Sequence, residues 1–453
     1  MRDLLLVLFL FVAIYFCFKR PFIGIAAWAF IALLAPANWA FGFSTSFRLN
    51  LTIVVVTFLS YLFVHKDKKL AFNGLSFWVL MFALWTLLSS FNSVASTIAV
   101  DYWNQFIKVL LLYFFITLVL TKKLHIDTLI WAIVLAISSY AAMESVKVVL
   151  SAGGHQVSGR SGALMDRNDF AVAVNMCLPL ILYLIYATKH YYLKLGLWGL
   201  FLGNIVAIVG TGSRGGFIGL AILALAFWWK SKRKLLWFLL AIIVLPTAYQ
   251  YTPEHWRERQ STIQTASTED ASFIGRLWAW KISVMIARDH PLVGGGFKAV
   301  TQPVVWHSYA PFTPFFGPIE TPPIPPEQFP LAAHNIYFQV LGDHGYVGMF
   351  IFGMLLLGIL WVNRRNRQLA MKHDQQWCVQ LSNAILLSMV GYGVTGNNVS
   401  LAYFDLLYTI AGIVAVIAIR KLYLPQPATA NGVTAVFAND RAQQFKAPGS
   451  PTR

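Results

Sequence analysis

The chain has 453 residues, 58% of them hydrophobic and only 12% charged. Soluble domains hold about 45–50% apolar and about 25% charged residues, so a soluble globular fold is excluded. The net charge of +17 would suggest a nucleic-acid partner in a soluble protein, but its placement along the chain points elsewhere.

The apolar residues come in long blocks, beginning with "LLLVLFLFVAIYFCF". A bilayer core of about 30 Å requires runs of about 20 such residues. The alternation of barrel strands is absent, so the blocks predict helices. In chain order they lie near 2–18, 22–40, 50–65, 74–92, 104–121, 128–150, 169–188, 193–210, 215–229, 233–250, 334–362, 378–396 and 402–420. The first is too long and too bulky at its end, with "KRP" following, for a cleaved signal peptide. The expected fold is an all-α polytopic membrane protein with about twelve or thirteen transmembrane helices. Cys17, Cys177 and Cys378 all fall inside apolar blocks without a CxxC spacing, which excludes a zinc knuckle or a disulfide framework.

Basic residues occupy every other gap: Lys19 and Arg20; Lys66, Lys68 and Lys69; Lys122 and Lys123; Lys189 and Lys194; Lys230 to Lys234; Arg364 to Lys372; Arg420 and Lys421. The positive-inside rule makes those gaps cytoplasmic. The charge is therefore a topology signal, and no nucleic acid is needed to explain it. The remaining gaps, 93–103, 151–168, 211–214, 251–333 and 397–401, face the other side. An odd number of spans puts the N-terminus outside and an even number inside, with one block, among the first two or 215–229, then re-entrant. The expected organisation is N-terminal spans over 1–250, one large external loop with short helices over 251–333, C-terminal spans over 334–424, and a disordered cytoplasmic tail over 425–453.

Within the large loop, "ASFIGRLWAWKISVMIARDH" predicts a helix with Ser272 as N-cap and Pro291 plus Gly294–Gly296 as the stop. Nine prolines between 303 and 330 then predict an extended lid or wall that ends against His334. Arginine is unexpectedly frequent on this side. Arg167, between Asp166 and Asp169, reads as locally ion-paired. Arg288, in the last turn of the loop helix, suits the helix dipole, whereas Arg276, in its first turn, is unfavourable there unless an anion joins it. Their spacing corresponds to about 120° of helical rotation, so the two do not aim at one ligand without a bend. Arg214 sits in a short turn flanked by Gly210, Gly212, Gly215 and Gly216. It reads as a snorkelling turn residue or as a phosphate site made by a guanidinium and amides at a helix N-terminus. Arg160, in another Gly/Ser loop, is a weaker version of the same. No DxD pair, P-loop or Cys/His cluster is present, so neither a metal nor a cofactor is expected. The best chemical fit is a lipid-linked diphosphate held by arginines.

The segment "AAHNIYFQVLGDHGYVG" (332–348) places His334 and Asn335 at the head of an apolar run. His334 reads either as a helix cap or as a general base at a water–lipid boundary. A helix start disfavours imidazolium and so favours a neutral ring. His307 lies in the proline-rich segment, His290 precedes Pro291 at a helix end, and His344, about 15 Å further along the helix, reads as a buried structural ring.

These residues resemble the bacterial O-antigen ligases. The pattern H-[NSV]-x9-G-x-x-G is met by His334, Asn335, Gly345 and Gly348, and the "SRGG" turn and the large loop before the histidine also fit. The resemblance to the wider O-antigen ligase and polymerase superfamily covers about 150–420, and the N-terminal stretch resembles exosortase-associated O-glycosylation ligases. It implies a GT-C-like, metal-independent, inverting membrane glycosyltransferase. Such an enzyme moves a glycan from undecaprenyl diphosphate to lipid A–core oligosaccharide on the periplasmic face of the inner membrane. His334 would be the base and Asn335 would orient it or hold the acceptor. Arg214 and the loop-helix Arg276 would contact the diphosphate, with Arg160 and Arg288 added by position. A glycan polymerase or protein O-glycosylation ligase of the same superfamily is the alternative. A secondary transporter is a distant one, since mid-span charge and internal repeats are lacking.

Overall fold

The computed structural model describes residues 2–39, 48–65, 72–160, 162–235 and 271–425, with positions 42 and 242 in isolation. Among these the regular structure is entirely helical. The helices are α1 (Arg2–Lys19), α2 (Pro21–Leu34), α3 (Leu49–Phe63), α4 (Gly74–Phe91), α5 (Ser96–Val119), α6 (Lys123–Leu150), α7 (Arg167–Ala187), α8 (Tyr191–Gly210), α9 (Arg214–Lys230), α10 (Ala271–Asp289), α11 (Pro303–Tyr309), α12 (Ile336–Lys372), α13 (Gln376–Thr395) and α14 (Asp405–Ile419). Among the described residues, seven helices are long and apolar enough to cross a membrane, and five shorter apolar helices accompany them. The protein is a polytopic helical membrane protein. Most of the 233–250 block, the start of the large loop and the tail beyond Pro425 lie outside the described residues.

Helix α7 is the axis of the bundle, with 78% of its apolar window buried. It packs against α6, α8, α9 and α13. Polar side chains tie these helices where hydrocarbon offers no water: Asn175 Nδ2 donates to Gly216 O at 3.0 Å and Ser388 Oγ to Met176 O at 2.7 Å. Asn204 Nδ2 likewise donates to Ser138 Oγ at 2.9 Å. Helices α1 and α3 turn large apolar side chains outward, Phe11 and Phe63 among them, as lipid-facing helices do.

Several boundaries differ from the sequence reading. Helix α5 begins at Ser96, inside a gap expected to be a loop, because polar Asp101 and Asn104 sit on an otherwise regular helix. The helix after His334 runs on to Lys372, beyond the apolar limit, since its basic end is still a good helix former. Ser272 lies within α10 and is not its cap. The proline-rich stretch opens with a helix, Pro303–Tyr309, because Pro303 at the first helical position gives up no hydrogen bond.

The loop helix α10 has an apolar cluster of its own, made by Ile274, Trp278, Ile282 and Ile286 with Val300, Val305 and Trp306. It lies alongside the first part of α12, running in the same direction. Trp280 stacks on Phe338 with centroids 5.1 Å apart, and Gly342 packs against Ser283. Helix α12 is in fact two helices joined at Gly345, whose φ of 68° and ψ of −169° break the helical path. Only glycine adopts that conformation readily, and a Cβ there would meet Leu292 O at 2.6 Å. A Cβ at Gly348 would overlap His344 Cβ. The two glycines of the motif are thus explained by one kink, and Gly294–Gly296 clasp it: Gly295 N donates to Gly342 O and Gly296 N to Asp343 O.

Candidate active site

Asn335, not His334, caps α12. Its Oδ1 accepts from the N–H groups of Tyr337 at 2.9 Å and Phe338 at 3.2 Å, while its Nδ2 donates to Asn397 Oδ1 at 3.2 Å. The side chain is fully engaged in holding the helix start against the α13–α14 loop. His334 stands just outside the helix with φ +43°, a left-handed backbone that costs a non-glycine residue about 1–2 kcal/mol. Two contacts hold it there: His334 N donates to Ser400 Oγ at 3.1 Å, and Trp280 Nε1 to Ala333 O at 2.6 Å.

The His334 ring is half-buried, and its Nδ1 is shut off from solvent without a hydrogen-bond partner in the protein. Burial first, and the Arg276 guanidinium second, push its pKa down from 6.5; Asp166 opposes this and Lys298 adds to it. The ring is neutral near pH 7, as expected, but the cause is desolvation and a neighbouring cation more than the helix start. A neutral imidazole held off its preferred backbone, beside fixed cations, can accept a proton from a bound hydroxyl.

The cations come from two other elements. Arg276, in the first turn of α10, donates from Nη1 to Asn398 Oδ1 at 3.0 Å. The same asparagine adjoins the Arg214 turn, where a Cβ on Gly215 would lie 3.0 Å from Asn398 Cβ. Arg214 is the first residue of α9, and Ser213 caps that helix by accepting from Gly216 N at 3.1 Å. One of the amides expected to face a ligand is therefore used by Ser213. Ser213 Oγ also donates to Asn168 Oδ1 at 2.7 Å, fastening the turn to the start of α7.

So the structure brings His334, Asn335, Arg276 and Arg214 around the loop Gly396–Ser400. It does not bring Arg288 there. That residue is exposed at the far end of α10, about 18 Å along the helix from Arg276. Arg160 is exposed at the rim of a small cleft of about 20 Å³ lined by Leu33, Leu34, Ala136, Ile137 and Phe170. Its loop meets the Arg214 turn through Val157 N, which donates to Gly210 O at 2.9 Å. No ion pair joins Arg167 to Asp166 or Asp169 among the described residues; Asp166 instead caps α7 through Asn168 N at 2.7 Å. No group of three or more His, Cys, Asp or Glu among the described residues could hold a metal ion.

Residues 199–353 match the O-antigen ligase family. Over this stretch the chain is similar to the O-antigen ligase-type superfamily. The matched stretch contains the Arg214 turn, α10, His334 and both kink glycines, and it supports a glycosyltransferase-like enzyme. Residues 1–189 match a family of unknown function (DUF5935). No curated protein matches the chain at a significant level. Asn397, Asn398, Ser400 and Lys298 do not stand out in the sequence, and Asp169 does so only as a flanking partner of Arg167. All five fall in gaps or at a span start assigned to the same side as His334, and that is the signal the sequence offers.

Proposed function

We propose that this protein transfers a glycan from undecaprenyl diphosphate to lipid A–core oligosaccharide on the periplasmic side of the bacterial inner membrane. The observation that carries this reading is the convergence on Asn398 of Arg276 and the Arg214 turn, one loop away from His334. Two guanidiniums suit a diphosphate, which each can grip through paired N–H donors. The neutral histidine suits an acceptor hydroxyl. In the proposed step the hydroxyl oxygen attacks the anomeric carbon as its proton passes to His334. The bond from that carbon to the diphosphate oxygen breaks on the opposite face, giving inversion, and the arginines stabilise the departing charge.

Asn335 acts here as a positioning residue, since its side chain is spent on the helix start. Arg288 is left out of the donor site. The described parts of the large loop wall the acceptor side.

The test is incubation of the purified full-length protein with undecaprenyl-diphosphate-linked glycan and lipid A–core, with and without a chelator. Glycan joined to lipid A–core supports the reading. Lipid-linked product of rising length with no acceptor consumed would establish a polymerase instead, and transfer to a protein acceptor an O-glycosylation ligase.

A further inference from the structure

Two buried polar atoms beside the histidine lack partners within the protein. His334 Nδ1 and Asp169 Oδ1 are both closed to solvent and make no hydrogen bond. Each such atom costs about 1–3 kcal/mol when left unpaired, and buried polar groups are nearly always satisfied. One residue joins the two: Ser400 accepts His334 N–H at its Oγ, 3.1 Å away, and its own backbone N–H donates to the Asp169 carboxylate. Both ends of this bridge are fixed. The start of α7 is held by the Asp166 cap and the Asn168–Ser213 bond, and the His334 backbone by Ser400 and Trp280.

The chemistry of the two atoms is complementary. A neutral imidazole protonated on Nδ1 is a donor there and an acceptor at Nε2, while an ionised carboxylate only accepts. We infer that Asp169 is the carboxylate partner of His334, its Oδ1 accepting the Nδ1–H directly or through one water in the working state. Asp166 is the weaker candidate, because its Oδ1 already caps α7. The charged groups that act on the ring are Arg276 from α10, Lys298 from the turn before α11 and Asp166 from α7, and Asp169 is joined to it through Ser400. The pairing sets the tautomer, aims Nε2 at the acceptor, and stabilises the imidazolium that forms when the hydroxyl proton arrives. After transfer that proton leaves Nε2 for water, and Nδ1–H stays on Asp169. What Nε2 does rests on the transfer reading; the pair itself does not.

The experiment uses full-length protein with ¹⁵N-labelled histidine in detergent, with the His334 signal identified by its loss in His334→Gln. In the wild type the neutral ring carries its proton on Nδ1. Asp169→Asn lowers the titration midpoint of His334 by about one pH unit and moves the tautomer towards Nε2–H. With the lipid-linked donor and lipid A–core, Asp169→Asn cuts kcat about 10²-fold, leaves donor KM within about twofold, and shifts the acid limb of the pH profile downward. Asp169→Ser, smaller and uncharged, must lower the same midpoint if Asp169→Asn does not fold. An unchanged midpoint and tautomer in the folded variant overturn the pairing, whatever the transfer assay shows. A shifted midpoint in a protein that transfers no glycan keeps the pair and removes the transfer reading.

Discussion

His334 and His344 stand at the two ends of one short helical segment, and their surroundings are opposite. His344 is wholly buried. Its Nδ1 meets Ser89 Oγ at 2.9 Å, and its ring lies edge-on to Phe297 and Phe82. Its neighbour Asp343 is equally enclosed, accepting from Tyr403 Oη at 2.9 Å. That end anchors the kink to α4 through Ser89, whose Oγ also donates to Asp343 O at 2.9 Å. His334, by contrast, sits on a strained backbone, half-open, among arginines and aspartates. The difference shows that residue type and a shared helix do not set a histidine's role. Which neighbouring elements close over it does.

This contrast can be broken in several ways. His334→Ala should lower transfer by about 10³-fold with only a small change in melting temperature, because the ring is half-buried and the backbone contacts to Ser400 and Trp280 are kept. Substantial remaining transfer would return His334 to a structural role. Gly345→Ala should destabilise the protein by about 3 kcal/mol or more, seen as a large drop in thermal unfolding temperature in detergent. A wild-type unfolding temperature would mean that the two halves of α12 do not depend on a glycine-only joint.

His344→Ala should do the reverse of His334→Ala. A loss of about 2–4 kcal/mol from the cavity is expected, with the pH dependence of transfer unmoved in whatever protein remains folded. A shifted pH profile would show that the buried ring takes part in proton transfer. Arg276→Ala should raise donor KM about tenfold, and it should also move the acid limb of the pH profile upward. The base must be neutral to act, its pKa lies below 6.5 because of burial and then Arg276, and removing the cation lets it rise. An unmoved limb would separate Arg276 from the histidine. The smallest effect belongs to Arg288→Ala, expected to leave both donor KM and kcat within about twofold. A loss matching that of Arg276→Ala would put the far end of α10 back in the donor site.

Much of this was legible in advance. The apolar blocks marked nearly every long helix that the described residues form, and the family pattern pointed to His334, Gly345 and Gly348. Of the two readings open for His334, cap or base, the cap belongs to its neighbour Asn335. A cap is recognised by which side chain reaches back to the N–H groups, and Asn335 Oδ1 does so from a β-region backbone, whereas His334 is left-handed. The arginines were sorted by local helix position, which correctly set Arg276 and Arg288 apart but gave no means of choosing between them.

The sequence by itself determined the membrane class and the helical content, because hydropathy acts over a few neighbouring residues. Tertiary structure decided which cations share a site with the histidine. The Arg276–Asn398 bond spans 122 residues and the His334–Ser400 bond 66. Contacts at such separations leave no trace in local periodicity; they exist only once α7, α9, α10 and α13 have packed and brought their ends together.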